Sequence, residues 1–143
     1  MVPELKKMIR ECNLENNVVL HQAVSYEEVP KFIAMSDVGI VPLPDHPYWR
    51  SQSPLKLLEY LAMAKTVIVT DIPAHRSVLG DRKCCIYIPA AERAKIAKSI
   101  VCAYSHREQL EAWGRSGRKL ASEEYSFEAL AKKTESYLRS FKK

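Results

Sequence analysis

This sequence has no long hydrophobic run. Hydrophobic residues make up 47% of its 143 residues, yet no uninterrupted apolar stretch approaches the ~20 residues that a membrane-spanning helix needs. A signal-peptide core is also missing near the start, because Lys6, Lys7 and Arg10 interrupt it. We therefore expect a cytoplasmic protein, with peripheral contact to a membrane left open, whose length is typical of one domain with one core.

The spacings of a disulfide framework or a metal site are missing as well. The four cysteines form no C-x-x-C pair, and the four histidines have no ligand spacing with each other or with the cysteines. These residues are Cys12, Cys84, Cys85 and Cys102, and His21, His46, His75 and His106. We expect four reduced thiols, no bound metal and no cofactor.

The chain also lacks a basic stripe interleaved with aromatic residues. Its net charge of +5 and isoelectric point near 9.0 would otherwise suit a nucleic-acid partner. In the last third of the chain, however, lysines and arginines alternate with glutamates, which is typical of solvated helix faces with intrahelical ion pairs. This distribution argues against nucleic acid, whereas an anionic membrane surface or a phosphorylated ligand would suit the net charge equally well.

What the sequence does have is a regular alternation of helical and strand-like segments. Short apolar or β-branched runs predict strands at 18–24, 38–43, 66–71 and 84–88. Periodicity and capping signals predict helices at 3–12, 26–35, 54–64, 73–80, 90–104, 106–122 and 126–141. This alternation predicts an α/β fold with a doubly wound, mostly parallel sheet, in which ligands bind beyond the carboxyl ends of the strands.

A polar, proline-bounded loop at 44–52 leads from the second predicted strand to the helix at 54–64. Ser53 is suited to cap this helix, and Pro54 to occupy its first position, where a missing N–H is not needed. The free N–H groups and partial positive charge of such a helix terminus favour a phosphate. Many helices begin in this way, so the feature by itself is weak evidence for a ligand.

The same helix places a carboxylate among apolar residues. At about 100° per residue, one face is predicted to hold Leu55, Leu58, Glu59 and Ala62. An inward charge costs several kcal/mol unless something pairs with it. Glu59 therefore either reaches water from the edge of the apolar stripe or faces a ligand cleft.

Five segments, taken together with their order and spacing, resemble one known family. They are 25–30, 35–43, 53–62, 67–76 and 124–127. From residue 14 to residue 141, the chain resembles the carboxyl-terminal half of the donor-binding domain in family 4 glycosyltransferases. Those proteins are retaining enzymes with two facing Rossmann-like domains, the GT-B architecture.

The resemblance implies a set of donor-binding residues. The family uses a Glu-x7-Glu pair, and Glu59 matches the second glutamate, which accepts hydrogen bonds from ribose hydroxyls. Ser51 stands where the family has the first glutamate, so the sugar contact would come from a neutral group. Backbone N–H groups at the positions of Ser53, Leu55 and Lys56 approach the sugar and diphosphate in the family. The Lys56 side chain would add a cation there or be an ordinary exposed lysine.

Other positions depart from the family pattern. Gln22 replaces the usual glycine after the strand that binds the base, and with Ala23 it is a candidate for the base or sugar pocket. Ala64 replaces a glycine at a helix end that favours positive φ, which costs about 1 kcal/mol. Three further candidates for the sugar pocket, which packing within their own loop would equally explain, are Tyr48, Trp49 and Arg50.

The resemblance also implies what the chain lacks. The family's donor domain begins with two strand–helix units that carry a Gly-rich turn and an Arg/Lys pair, and an acceptor domain precedes them. Neither is matched, so residues 1–143 are expected to form a single partial donor-binding domain that does not catalyse transfer by itself. No catalytic residue is assigned.

The expected function is therefore that of the donor-binding part of a retaining glycosyltransferase. The whole enzyme would transfer a hexose from a nucleoside diphosphate sugar to a carbohydrate or lipid-linked acceptor without a metal. The alternatives are a non-catalytic remnant or subunit that binds nucleotide or a protein partner, and a GT-B sugar epimerase.

The family's strand order, 3-2-1-4-5-6, would leave a gap between strands 18–24 and 38–43. Either a partner supplies the missing half, or strand 18–24 pairs directly with strand 38–43 through the crossover helix. We expect the second arrangement, a sheet of about four strands whose exposed edge favours self-association.

Overall fold

Three parallel strands form the centre of the structure, which is a computed structural model describing residues 2–141. The strands are β1 (Val38–Val41), β2 (Thr66–Thr70) and β3 (Cys85–Ile88), and they lie in the order β1-β2-β3. β2 pairs in parallel with both neighbours. The predicted α/β fold with a parallel, Rossmann-like sheet is confirmed, with three strands in place of four.

Eight α-helices and one 3₁₀ turn connect and flank these strands within the described residues. They are α1 (Val2–Glu11), the 3₁₀ turn (Tyr26–Glu28), α2 (Val29–Met35), α3 (Pro47–Arg50), α4 (Leu55–Ala62), α5 (Pro73–Leu79), α6 (Arg93–Ser105), α7 (Arg107–Glu124) and α8 (Phe127–Ser140). The 3₁₀ turn opens with the Ser25–Glu28 capping box, in which the Ser25 N–H donates to the Glu28 carboxylate at 3.2 Å. All seven predicted helices are thus present, with ends that differ by a few residues, and α3 lies inside the segment predicted as a loop.

Residues 18–24 do not form the predicted strand. They are exposed coil, and among residues 2–141 β1 pairs with β2 alone, so the expected pairing of 18–24 with 38–43 is wrong. The His21 ring instead contacts Phe32 of α2, with ring centroids 4.9 Å apart. A β-branched sequence becomes a strand where a neighbour supplies ladder hydrogen bonds and burial, and here neither is present.

The two faces of the sheet are covered by different helices. On one face, α4 contributes Leu57 and Leu61 to a core completed by β2, α5 and α7. On the other face, Ile68 of β2 and Ile88 of β3 pack against Ala103 of α6. Every residue of β2 is buried, as expected for a central strand covered on both sides.

The α4–α7 contact requires very small residues. A side-chain carbon on Gly114 of α7 would overlap the Ala64 carbonyl, and one on Gly117 would meet Leu61. Ala64, two residues beyond the end of α4, has φ +55°, which confirms the expectation of a positive φ at this position. The Ala64 N–H donates to the Leu61 carbonyl, and the Lys65 N–H donates to the Tyr60 carbonyl. This pattern is typical of helix ends that have a residue in the left-handed conformation.

The two terminal helices contribute little to the core. Neither α1 nor α8 has a buried residue, and Phe127 at the start of α8 is 91% exposed. All four cysteines are free thiols, although Cys12 is exposed and Cys84 is buried. In residues 2–141, no helix has both the length and the apolar character needed to cross a membrane.

Candidate functional site

The loop between β1 and α4 follows the carboxyl end of β1 and is organised by its own side chains. His46 caps α3 by accepting a hydrogen bond from the Tyr48 N–H at 3.2 Å. Arg50 binds both carboxylate oxygens of Asp45, at 2.7 and 3.1 Å. This pairing lowers the pKa of Asp45 below its ordinary value, chiefly through the hydrogen bond. The loop is therefore a small folded unit at the carboxyl edge of the sheet.

The start of α4 differs from the predicted cap. The helix begins at Leu55, with Pro54 at the N-cap and no side chain capping it, so the assignment of Ser53 as the cap is wrong by one residue. The N–H groups of Leu57 and Leu58 donate to the Pro54 carbonyl. Those of Leu55 and Lys56 have no acceptor in residues 2–141. Two N–H groups at this helix terminus are therefore available to a ligand.

Glu59 lies on the outer face of α4, whereas the sequence predicted it on the face directed to the core. The buried residues of α4 are Leu57 and Leu61, so the stripe containing Leu55 and Glu59 points away from the core. Leu55 is 69% exposed, whereas Glu59 is half-buried. The prediction that this stripe faces inward failed because α4 has leucines on nearly every side, and periodicity cannot then select the buried face.

The Glu59 carboxylate has no partner within residues 2–141. No hydrogen bond or ion pair holds its side chain, although Arg50, Arg76 and Arg82 all bind carboxylates elsewhere. Glu59 lies one turn after Leu55, about 6 Å along the helix axis at the usual rise per residue. A free carboxylate and two free N–H groups therefore lie on one side of a single helix.

Beneath this edge, polar groups join β2 and α5 to the loop. Thr70 Oγ1 donates to the Leu43 carbonyl at 2.6 Å, and His75 Nδ1 lies 2.7 Å from the Thr70 carbonyl oxygen. Arg76 binds both carboxylate oxygens of Asp71, at 2.6 and 2.8 Å, which lowers the pKa of Asp71. None of these contacts was predicted from the sequence. A polar Asp71 directly after a buried strand, and a histidine within an apolar helix, were the available signals.

The remaining predicted residues lie on the surface without side-chain partners in the described chain. Ser51, Ser53 and Lys56 are exposed, and no hydrogen bond or ion pair holds their side chains. Gln22 and Ala23 are exposed in the coil before the 3₁₀ turn, and no hydrogen bond joins them to α4.

The loop aromatics pack on each other. The rings of Tyr48 and Trp49 meet edge to face, with centroids 5.0 Å apart. Trp49 is half-buried and Tyr48 is exposed. Arg50 is occupied by Asp45, so its guanidinium is committed to the loop.

A sizeable cavity lies away from this edge. It has a volume of about 670 Å³ and is lined by the start of β1 and by α6 and α7, including Asp37, Tyr104 and Arg107. In residues 2–141, no group of three His, Cys, Asp or Glu side chains is arranged to hold a metal ion.

The sheet, its flanking helices and the loop at its carboxyl edge define the class of protein: part of a Rossmann-like α/β domain. Comparison with known proteins then identifies the family. The sequence profile described as "Glycosyl transferases group 1" matches residues 2–120, and the chain belongs to this family. The predicted resemblance to glycosyltransferases of GT-B architecture is confirmed.

Individual relatives are consistent with this assignment. Over 58 residues, the chain is 38% identical to a Bacillus subtilis (strain 168) protein named as a teichuronic acid biosynthesis glycosyltransferase, TuaH; the match covers 41% of this chain and 15% of that protein. The fold of this chain is similar to that of sucrose-phosphate synthase from Thermosynechococcus elongatus. The TM-score is 0.79 with 17% identity, over 96% of this chain and 33% of that one.

The fold is also similar to the C-terminal domain of a glycosyl transferase group 1 family protein, LpcC, from Francisella tularensis. The TM-score is 0.72 with 17% identity, over 87% of this chain and 62% of that structure. A glycosyltransferase from Rickettsia africae ESF-5 gives a TM-score of 0.78 and 15% identity, over 97% of this chain and 36% of that one. The chain thus spans about a third of the two longer structures.

Proposed function

We propose that this chain is the donor-binding part of a retaining glycosyltransferase. The whole enzyme transfers a hexose from a nucleoside diphosphate sugar to a carbohydrate or lipid-linked acceptor. The observation that carries the proposal is the unpartnered Glu59 carboxylate, one helical turn from the free N–H groups of Leu55 and Lys56. Two ribose hydroxyls are donors and a diphosphate is an acceptor, so the two features complement the two polar parts of such a donor.

The helix terminus gives the diphosphate its main electrostatic partner. The partial positive charge of α4 and its free N–H groups attract an anion at this position. Lys56 is exposed at the second position of α4 and adds a full charge. We propose on these grounds that donor binding needs no metal ion and no further cofactor.

The loop residues form the sugar side of the proposed site. Ser51 and Ser53 flank the entry to α4 with hydroxyls that have no partner in the described chain, so both can bind sugar or phosphate oxygens. Tyr48 offers an exposed ring beside them. Arg50 acts indirectly, because its bond to Asp45 fixes the loop. Gln22 and Ala23 would reach the base only if residues 18–24 are ordered by further contacts.

The acceptor is proposed at the level of its class. The protein TuaH is named for teichuronic acid biosynthesis, and its match to this chain supports a carbohydrate acceptor. The match covers 41% of the chain. It therefore supports the class of acceptor and no particular sugar or linkage.

Replacing the carboxylate tests the proposal. Glu59→Gln should weaken binding of a nucleoside diphosphate sugar by about 1.5–3 kcal/mol, the range for hydrogen bonds to a charged group. The melting temperature should stay nearly constant, because Glu59 has no partner in residues 2–141. Calorimetric titration with uridine, guanosine and adenosine diphosphate hexoses, together with thermal melts, measures both quantities.

Glu15→Gln is the control, since Glu15 is an exposed glutamate in a turn outside the helices. It should change neither affinity nor melting temperature. Unchanged donor affinity in Glu59→Gln, combined with a large fall in melting temperature, would show that Glu59 has a structural role instead.

A second candidate is a subunit that works together with another polypeptide. The outer edge of β1 has no paired strand in the described chain, and α1 and residues 12–24 contribute nothing to the core. A second copy of this chain that pairs with Val38–Val41 would satisfy this edge. Light scattering after size-exclusion chromatography tests this: a stable monomer whose β1 amides exchange rapidly would contradict it.

A further inference from the structure

His75 is fully buried in the first turn of α5, although an imidazole can carry a charge. Its Nδ1 lies 2.7 Å from the Thr70 carbonyl oxygen. Its Nε2 is buried and has no hydrogen-bond partner in residues 2–141. A histidine in this setting requires an explanation, because buried polar atoms are normally paired.

The hydrogen bonds fix the protonation state of this ring. A carbonyl oxygen only accepts, so Nδ1 must carry the proton that it donates to Thr70. The Thr70 hydroxyl proton is directed to the Leu43 carbonyl at 2.6 Å. Nε2 is then an unprotonated nitrogen in an apolar setting, and burial lowers the pKa of His75. His75 is therefore the neutral Nδ1–H tautomer.

This tautomer completes a chain of contacts that reaches the loop. His75 holds the carbonyl of Thr70, and the hydroxyl of the same Thr70 holds Leu43. Leu43 lies two residues after β1, where the loop to α4 begins. From the other side, α3 in this loop packs against α5. The position of the whole loop thus depends on the β2–α5 corner.

We propose that His75 is a positioning residue, which fixes the loop of residues 44–52 through Thr70 so that Ser51, Ser53 and the start of α4 are held in donor-binding geometry. The effect on donor affinity rests on the proposed function. The effect on the loop does not, because it exists without a ligand.

Two substitutions separate positioning from packing. An asparagine side chain can place an N–H close to the position of Nδ1, so His75→Asn keeps the hydrogen bond to Thr70 and loses ring volume. His75→Leu keeps much of the volume and loses the hydrogen bond. If His75 positions the loop through its hydrogen bond, the asparagine variant should behave like the unmodified chain. If His75 only fills space, the leucine variant should do so instead.

Hydrogen exchange without ligand gives the decisive readout. The N–H groups of Trp49, Arg50 and Gln52 are hydrogen-bonded within the loop and report its order. In His75→Leu they should exchange at least tenfold faster, and in His75→Asn within about twofold of the unmodified rate. Slow exchange in the leucine variant together with fast exchange in the asparagine variant would overturn the proposal.

Thr70→Val is a second variant with nearly unchanged shape, in case substitution of His75 prevents folding. It removes the hydroxyl bond to Leu43 and should accelerate the same amides, and unchanged exchange would contradict the proposal. Ser99→Ala is the control, because it removes a buried hydroxyl whose bond lies within α6. Donor titration of each variant follows: if the unmodified chain binds no nucleotide sugar, the proposed function fails, while the exchange data still decide the role of His75.

Discussion

Residues 18–24 and β2 are two β-branched segments with very different surroundings. Each residue of 18–24 is exposed, whereas each residue of Thr66–Thr70 is buried between α4 and α7 on one face and α6 on the other. β2 has a paired strand on both sides, and 18–24 has none within the part of the chain that the structure describes. The difference shows that in this chain neighbours, more than composition, decide which segment becomes a strand.

The contrast extends to the energetics of the two regions. Strands β2 and β3 are covered by α4, α6 and α7, so substitutions in these strands change the packing directly. The segment from α1 to residue 24 has no buried residue, and its substitutions should be nearly neutral in the isolated chain. The following predictions test this division.

The largest difference is expected between two valines. Val69→Ala removes buried methyl groups from the central strand and should lower the free energy of unfolding by about 2–3 kcal/mol. Val19→Ala, at a position that is 70% exposed, should change it by less than about 0.5 kcal/mol. Urea titration of both variants gives the comparison. Similar losses at the two positions would mean that residues 18–24 are packed in solution.

A smaller loss is expected at the α4–α7 contact. Gly114→Ala places a methyl group against the Ala64 carbonyl, and overpacking of this kind costs about 1–3 kcal/mol. The overlapped atom is a backbone oxygen that cannot turn aside, so we expect the upper end of this range. The better helix propensity of alanine offsets about 1 kcal/mol, which leaves a net loss of about 2 kcal/mol. Arg118→Ala, on the exposed side of the same helix, is the control and should be neutral. A stabilised Gly114→Ala variant would show that α4 and α7 are further apart than described.

The smallest change in the free energy of unfolding is expected at two non-glycine residues that have positive φ. Ala64, at φ +55°, follows the core helix α4, and Asn13, at φ +52°, lies in the exposed segment. Ala64→Gly should raise the free energy of unfolding by about 1 kcal/mol through relief of strain. Asn13→Gly should be close to neutral, because asparagine tolerates this conformation. Thermal melts in which both variants gain equally would remove the distinction between the two regions.

The same division separates what the sequence could predict from what it could not. Strands β1, β2 and β3 were predicted because each is a short apolar run between helix signals. The positive φ of Ala64 was expected because this residue stands where the resembled family has a glycine at a helix end. Residues 18–24 were predicted wrongly, since their pattern specifies a strand but no neighbour. The buried face of α4 was also wrong, because an apolar sequence on all sides leaves the choice to tertiary packing.

The candidate site divides in a similar way. Glu59 and the start of α4 were singled out from the sequence, because a carboxylate in an apolar helix and a proline before it are local signals. The contacts of Thr70 with Leu43 and His75 could not be predicted, since they join residues 27 and 5 positions apart through the folded edge of the sheet. Local patterns thus identified the groups that we propose to face the ligand and missed the groups that we propose to position them.

The central claim is that a nucleoside diphosphate sugar binds at the start of α4, and amide chemical shifts test it most directly. Two-dimensional ¹H–¹⁵N spectra of the ¹⁵N-labelled chain would be recorded while an unlabelled uridine, guanosine or adenosine diphosphate hexose is added up to saturation. The account predicts that the largest shifts occur at the free N–H groups of Leu55 and Lys56, and that they become much smaller in Glu59→Gln. Shifts confined to the cavity near Tyr104 and Arg107, or no shift with any of the three donors, would contradict it.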